Sequence, residues 1–215
     1  NVFCFLAGDA MSQQSPTLTP WSISKAQVAH SCTLRFNLKY IQREPGKQVE
    51  RSEGRVGSAA HVIVEQCLKG QDYDFAFRKG AVDNKLSRNE ILTLATFKDP
   101  ILAFLKRFGA WREKMGVTDD RLFVEREVSF TRDFSLRGYW DKDVFYRGLW
   151  DVGAVVHKGD KRFVIIMDHK TGQPGEDLSK YKDQLWSYIV SAYALYPDLA
   201  GAQTAIHWMQ AEPPQ

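Results

Sequence analysis

The first half of the chain carries the hydrophobic spacing of α-helices. Ser24, with Gln27 three residues later, forms a capping-box pair that predicts a helix over 25–42. Ser87 and Glu90 form a second pair of the same kind and predict the start of a later helix. Apolar residues that recur every three or four positions predict three helices after the first, over 58–69, 87–99 and 100–114.

The second half of the chain, after Gly116, changes to the pattern of strands. Three strands are predicted over 122–131, 144–156 and 162–168, followed by an amphipathic helix over 178–196 and a last strand over 203–210. The turn Lys158-Gly-Asp-Lys161 joins the second strand to the third. This order predicts one α/β domain over 21–215, with a mostly helical part (21–115) and a sheet-containing part (116–215).

Residues 1–20 precede the first helix and show neither pattern. Residues 11–20 are rich in Ser, Thr and Pro, so we expect 1–20 to form a tail outside the domain. Met11 resembles a natural start, which would make residues 1–10 an upstream or artificial extension.

Composition and charge limit the class of protein. The 215 residues are 44% hydrophobic and 26% charged, which is typical of a globular domain and excludes collagen-like, disordered and coiled-coil chains. A net charge of +3 is too small to indicate a nucleic-acid partner by itself. The three cysteines form no CxxC pair, which argues against a disulfide framework, a zinc ribbon and a four-cysteine iron–sulfur cluster. With no apolar run of membrane-spanning length, we expect a cytoplasmic protein with no membrane partner.

The strongest chemical signal lies at the end of an apolar strand. Asp168 and Lys170 are two residues apart, so both side chains leave the strand on the same side, and Asp151 lies on the preceding strand. A buried carboxylate is costly unless it is paired or binds a metal. Two converging carboxylates suit Mg²⁺ or Mn²⁺, and phosphodiester hydrolysis uses such a cation to activate water. A simple salt bridge between Asp168 and Lys170 is the alternative.

Three further groups of residues share a predicted helix face. His61 and Glu65 are four apart and could both ligate a metal, although a buried structural histidine is the alternative. Gln184 and Tyr188 have the same spacing, which alone favours simple helix packing. A basic face that could follow phosphates, or merely be solvated, is formed by Arg35, Lys39 and Arg43.

These motifs together resemble the RecB-like branch of the PD-(D/E)XK nucleases, which includes phage and recombination exonucleases and nucleases of CRISPR adaptation. The matching motifs, in order, are Gly57-x-x-x-His61, Gly148-x-x-Asp151, Asp168-x-Lys170-Thr-Gly and Gln184-x-x-x-Tyr188. The resemblance covers about residues 21–210. It implies a restriction-endonuclease-like αβββαβ core, a mixed sheet flanked by helices, with an N-terminal helical region.

The resemblance also implies roles for the residues at the predicted site. It assigns His61, Asp151 and Asp168 to the metal, assisted by the backbone carbonyl of His169. It assigns Lys170 to orienting or deprotonating the attacking water and to offsetting charge on the scissile phosphate.

Other implied roles lie outside this group. Glu65 fits a helix-borne acid that many members carry, and Gln184 and Tyr188 resemble a motif that contacts DNA near the cut. The iron–sulfur members need three cysteines near the C-terminus, and this chain has none after Cys67. No iron–sulfur cluster is therefore expected, and Cys32 is interpreted as a relic or a core thiol.

We therefore expect a Mg²⁺- or Mn²⁺-dependent DNase, most simply an exonuclease that needs DNA ends. Arg35, Lys39 and Arg43 offer backbone contacts that carry no sequence information, and Tyr139 or Trp140 could stack on unpaired bases. The expected partner is DNA with free or single-stranded ends, together with a possible recombination or single-strand-binding protein.

Several alternatives stay open. Ser22-x-x-Lys25 with Lys170-Thr-Gly imitates the motifs of penicillin-recognising enzymes, but their third motif, S-D-N, is missing. A non-catalytic DNA-binding module of the same fold, an endonuclease, and RNA as the substrate are further possibilities. A second G-x-x-D match ends at Asp141, but Asp151 is closer along the chain to Asp168 and is preferred.

Overall fold

The structure is a computed structural model that describes residues 20–43, 51–172 and 179–210, without the side chain of Lys180. All of the predicted tail except Pro20 lies outside the described residues.

A four-stranded mixed sheet forms the centre of the fold. Its strands are β1 (Leu122–Phe130), β2 (Tyr146–Lys158), β3 (Lys161–Lys170) and β4 (Gly201–Trp208), in the spatial order β1-β2-β3-β4. The first two pairings are antiparallel, and β3 pairs with β4 in parallel. A parallel pair needs a crossover, which is the helix α7 (Ser179–Leu195). The predicted α/β class, with a mixed sheet flanked by helices and an N-terminal helical region, is confirmed.

The β2–β3 hairpin brings the predicted acidic positions together. Its tight turn contains Gly159, whose φ of 58° falls in the left-handed region that glycine adopts at no steric cost. From this turn the register runs to the pair Val152–Met167. Asp151 and Asp168 follow immediately on the two strands, so that the turn fixes their juxtaposition.

Helices cover both faces of the sheet. On one face lie α3 (Ser52–Leu68), α4 (Tyr73–Asp83), α5 (Arg88–Ala95) and α6 (Lys98–Lys114), whose buried residues form a core with Val152 and Met209 of the sheet side. On the other face, Tyr188 and Ala192 of α7 pack against a cluster that includes Trp150. Among the described helices, none has the length and apolar character that crossing a bilayer requires.

The N-terminal helical region differs from its prediction. The expected single helix over 25–42 is broken into α1 (Ile23–Ser31), α2 (Thr33–Phe36) and a π-helical turn, Asn37–Ile41, and none of their residues is buried. The break falls at Cys32, whose backbone is extended and whose Sγ accepts a hydrogen bond from the amide of Arg35. Cys32 is exposed, so the interpretation as a core thiol is wrong.

Several other helix boundaries differ from the predicted ones. Ser22, not Ser24, caps α1, because its hydroxyl accepts the amide hydrogen of Lys25. The capping box of Ser87 and Glu90 is confirmed, although α5 ends at Ala95. No helix was predicted where α4 lies, and α3 begins at Ser52, before the predicted start at Ser58.

Two helical glycines give a test of how closely the helices approach each other. A Cβ at Gly80 in α4 would lie 2.8 Å from the backbone oxygen of Ala59, whereas a Cβ at Gly109 in α6 meets nothing within 4 Å. Gly80→Ala should therefore lower the free energy of unfolding by about 1–3 kcal/mol through forced displacement of the helices. Gly109→Ala should raise it by about 0.5–1 kcal/mol through helix propensity.

Urea unfolding measures both changes, provided that the slope of the unfolding free energy against urea concentration is the same in each variant as in the wild type. Stabilisation by Gly80→Ala similar to that by Gly109→Ala would contradict the close packing of α4 on α3.

Candidate active site

Two buried carboxylates lie at the centre of the site. Asp168, near the end of β3, is 2% exposed, and Asp151 on β2 is 8% exposed. The backbone amide of His169 donates a hydrogen bond of 2.6 Å to Oδ2 of Asp151. Burial raises the pKa of Asp151 to about 6, with a further rise from the charge of Asp168 and an opposing effect from His61. The protein therefore holds two acids in a position where a cation would relieve their repulsion.

Lys170 forms an ion pair with one of these two acids. Its Nζ lies 2.6 Å from Oδ2 of Asp168, which fits the two-residue spacing predicted to put both side chains on one side of β3. The same Nζ lies 5.2 Å from the ring centre of Tyr181 on α7. Lys170 is thus held between a carboxylate and an aromatic face.

Gln184 and Tyr188 on α7 hold the other oxygen of Asp168. The amide nitrogen of Gln184 donates to Oδ1 at 2.7 Å, and the hydroxyl of Tyr188 donates to it at 2.8 Å. Burial is the main reason why the pKa of Tyr188 is raised, and Asp168 adds to the rise. The family resemblance implied DNA contact for both residues, whereas their spacing alone favoured helix packing; Tyr188 is 4% exposed and its hydroxyl is directed at the carboxylate.

His61 on α3 approaches the site from the helical side. Its Nε2 lies 3.1 Å from the carbonyl oxygen of His169, and its Nδ1 lies 3.5 Å from Oδ2 of Asp151. Burial lowers the pKa of His61, but the carboxylates of Glu125 and Asp151 outweigh it, and the pKa is raised. The predicted His61, Asp151 and His169 carbonyl are therefore brought together.

The side chain of His169 points away from the acids, as strand alternation requires. Its Nδ1 lies 2.9 Å from Nδ1 of His207 on β4, and Phe104 of α6 stacks on His207 with 4.2 Å between ring centres. Burial lowers the pKa of both histidines, that of His207 to about 4. The carbonyl of His169 thus faces the site while its ring is anchored among the helices.

Glu125 is a member of the site that was not predicted. It lies on β1 across from Asp151, between the pairs Val124–Val152 and Arg126–Trp150. Its φ of 50° is uncommon for a residue other than glycine, and such backbone conformations concentrate at functional sites. The strand pattern places an acid here but contains no signal for this backbone conformation, which is why Glu125 was missed.

These donors fit a divalent cation. One ligand atom each from His61, Glu125 and Asp151 can be chosen so that all three lie within 4.8 Å of one another. Carboxylate oxygens are the preferred ligands of Mg²⁺ and Mn²⁺, and imidazole is a common additional ligand of transition metals. The carbonyl oxygen of His169 lies beside the same group.

Glu65 is not brought into this group. It lies one turn beyond His61 on α3, and its carboxylate is paired with Lys69. The basic residues of the N-terminal region are also outside it. Arg35 and Lys39 are exposed, and Arg43 has a φ of 54°, which ends the helical geometry that a single face over all three would need.

Two other motif matches in the sequence, the second G-x-x-D and the S-x-x-K, do not contribute to the group of acids. Asp141, at the end of the second G-x-x-D match, accepts a hydrogen bond from the amide of Gly138 in an exposed turn. Ser22 caps α1, and the amine of Lys25 donates to the carbonyl of Pro20. A serine nucleophile activated by Lys25 is therefore not assembled.

A cleft of about 390 Å³ leads to the carboxylates. One wall is the start of α1, with Ser22, Ser24 and Gln27, and the facing wall includes Tyr139 and Arg147. The first wall is fixed by a short β-bridge, in which Trp21 donates to the carbonyl of Phe145 at 2.7 Å and accepts from the amide of Arg147 at 2.8 Å. The acids thus lie at the floor of a two-walled cleft.

Comparison with known proteins identifies the family. No curated protein matches the chain. The sequence profile of the PD-(D/E)XK nuclease superfamily matches residues 20–212, which is nearly the whole chain and includes every residue of the site above. The order helix, three strands, helix, strand and the paired acids with Lys170 agree with that match. The chain therefore belongs to the PD-(D/E)XK nuclease superfamily, whose members are in general metal-dependent nucleases.

Proposed function

We propose that the protein is a Mg²⁺- or Mn²⁺-dependent deoxyribonuclease of the RecB-like branch that hydrolyses DNA from free ends. The observation that carries this proposal is the convergence of two buried acids, a lysine and a histidine, which come from three separate elements. Such an enzyme would act in recombination, repair or phage DNA processing. A reducing cytoplasm as its location agrees with the free thiols of Cys32 and Cys67.

Each group near the cation would have one role in hydrolysis. Asp151, Asp168 and the carbonyl of His169 would hold the cation, joined by His61 and Glu125. When bound, a divalent cation polarises the phosphate and lowers the pKa of an attacking water. The two donors on Oδ1 of Asp168 fix that carboxylate and leave Oδ2 directed at Lys170.

Lys170 is suited to an electrostatic role. Its ammonium has no acceptor function and is not a metal ligand, but it lies beside the carboxylate that would hold the cation. From this position it would orient the attacking water and offset the charge that develops on the scissile phosphate.

The shape of the cleft supports the requirement for an end. Its volume, about 390 Å³, is in the range of a small-ligand pocket, and two walls enclose the acids. We expect a strand terminus to enter such a cleft and an uninterrupted duplex to remain outside it. Exposed Arg35 and Lys39 would supply backbone contacts that do not depend on sequence.

Substitution at Asp168 and Lys170 should separate metal binding from chemistry. Both Asp168→Ala and Lys170→Ala should lower DNA cleavage by at least about 100-fold, because each removes charge stabilisation at the reacting phosphate. Only Asp168→Ala should also weaken Mn²⁺ binding measured by calorimetry. Full activity in Asp168→Ala, or of the wild type in excess EDTA, would contradict the proposal.

Substitutions of Glu125 and Glu65 test whether Glu125 is an additional metal ligand, with Glu65 as the matched control. Glu125→Gln should weaken Mn²⁺ binding by about 10-fold or more, because its carboxylate lies in the ligand group. Glu65→Gln should leave the affinity unchanged, because that carboxylate is paired with Lys69. Equal affinities in the two variants would remove Glu125 from the ligand set.

The substrate is tested with DNA that has ends and DNA that has none. Linear duplex should be degraded in Mg²⁺, and covalently closed circles of the same sequence should survive, because only the former can insert a terminus into the cleft. Gel analysis of both substrates, with and without EDTA, measures this. Efficient cutting of circles would indicate an endonuclease, and intact DNA of both forms would contradict a nuclease function.

A further inference from the structure

The loop between β1 and β2 presents an aromatic group beside the cleft. Trp140 is 77% exposed, the largest value among the large apolar side chains of the described residues. Its ring contacts Tyr139 edge to face, with 5.2 Å between ring centres, and Tyr139 lines the cleft. A tryptophan exposed to this extent contributes little to the core, and together with Tyr139 it forms an aromatic pair at the edge of the cleft.

Arg147 ties this aromatic pair to the floor of the cleft. Its guanidinium carbon lies 5.0 Å from the ring centre of Trp140 and 5.4 Å from that of Tyr139. The same guanidinium donates to the carbonyl of Asp141 at 3.3 Å, and its backbone amide belongs to the bridge with Trp21. The two rings are therefore held next to the guanidinium of Arg147. Arg147 lies on β2, four residues before Asp151.

More positive charge lies on the opposite wall. The pKa of Lys25 is lowered, first by burial and then by the nearby charges of Arg147 and Arg43. Lys25 and Lys39 also lie over the ring of Tyr40, at 5.4 and 5.1 Å from its centre. Cations crowded together in this way favour the binding of a polyanion, which offsets their mutual repulsion.

We propose that the cleft mouth binds an unpaired DNA strand, with Tyr139, Trp140 and Arg147 as a stacking platform for bases and with Lys25 and Lys39, the two cations over the ring of Tyr40, as phosphate contacts. This inference rests on the proposed function, because the strand would continue from the platform to the carboxylates. Aromatic rings interleaved with cations are the combination that proteins use for single strands, since every base has a face that can stack. The bases of an intact duplex do not expose these faces.

Two tryptophans provide a matched test. The full-length protein, wild type or variant, is titrated in EDTA against a fluorescein-labelled oligothymidylate, and binding is followed by anisotropy. Trp140→Ala should weaken binding by about 5- to 100-fold, as expected for loss of one stacked base. Trp186→Ala is the control, because Trp186 is 56% exposed but lines a separate surface groove on α7.

The phosphate contacts have a different signature. Lys39→Ala should make the dependence of log affinity on log salt concentration shallower by about 0.7 units, the value for one lost contact to a single strand. Trp140→Ala should leave this slope unchanged, because stacking releases no counterions. A changed slope in Trp140→Ala, or an unchanged one in Lys39→Ala, would contradict the assigned roles.

These measurements distinguish a failure of the proposed binding platform from a failure of the proposed nuclease function. If the wild type does not bind the oligothymidylate, or if Trp140→Ala and Trp186→Ala weaken binding equally, the platform is wrong even when linear DNA is still cut. If binding depends on Trp140 but no DNA is cut in Mg²⁺, the platform stands and the proposed nuclease function is wrong.

Discussion

The burial of one carboxylate, that of Asp168, is the constraint on which the site depends. A charged carboxylate without water is stable only if its oxygens are matched by donors or cations. Here Lys170 faces one oxygen, and Gln184 and Tyr188 donate to the other. Lys170 comes from β3 itself, and Gln184 and Tyr188 come from α7, so the parallel crossover through α7 is needed as much for this carboxylate as for the core.

Much of this arrangement follows from short-range patterns in the chain. The alternation of apolar residues, the turn around Gly159 and the two-residue spacing of Asp168 and Lys170 were sufficient to predict a hairpin that brings two acids and a lysine together. The four-residue spacing of Gln184 and Tyr188 likewise predicted a shared face on α7. Its partner, the carboxylate of Asp168, was not predicted, because helical spacing does not specify what a face contacts.

The parts that could not be predicted depend on backbone geometry and on long-range contacts. Glu125 enters the site through a left-handed backbone conformation that a strand pattern does not encode. The single helix expected over 25–42 is interrupted at Cys32, where a thiol accepts an amide hydrogen bond that helical periodicity gives no reason to expect. Glu65 has helical spacing from His61 that would suit a ligand, yet Lys69 lies at the same spacing on its other side and pairs with it.

The first wall of the cleft, which is joined to β2 by the short bridge at Trp21, is less deeply packed than the helix α3 that carries His61. The segment 23–41 contains no buried residue, whereas α3 on the helical side buries five. Two backbone hydrogen bonds join the first wall to β2 at Trp21, and Trp21 stacks on Phe36 within the same segment. Local opening there costs far less free energy than global unfolding. This wall can therefore be displaced while the carboxylates keep their positions, so the site combines an easily opened entrance with a fixed floor.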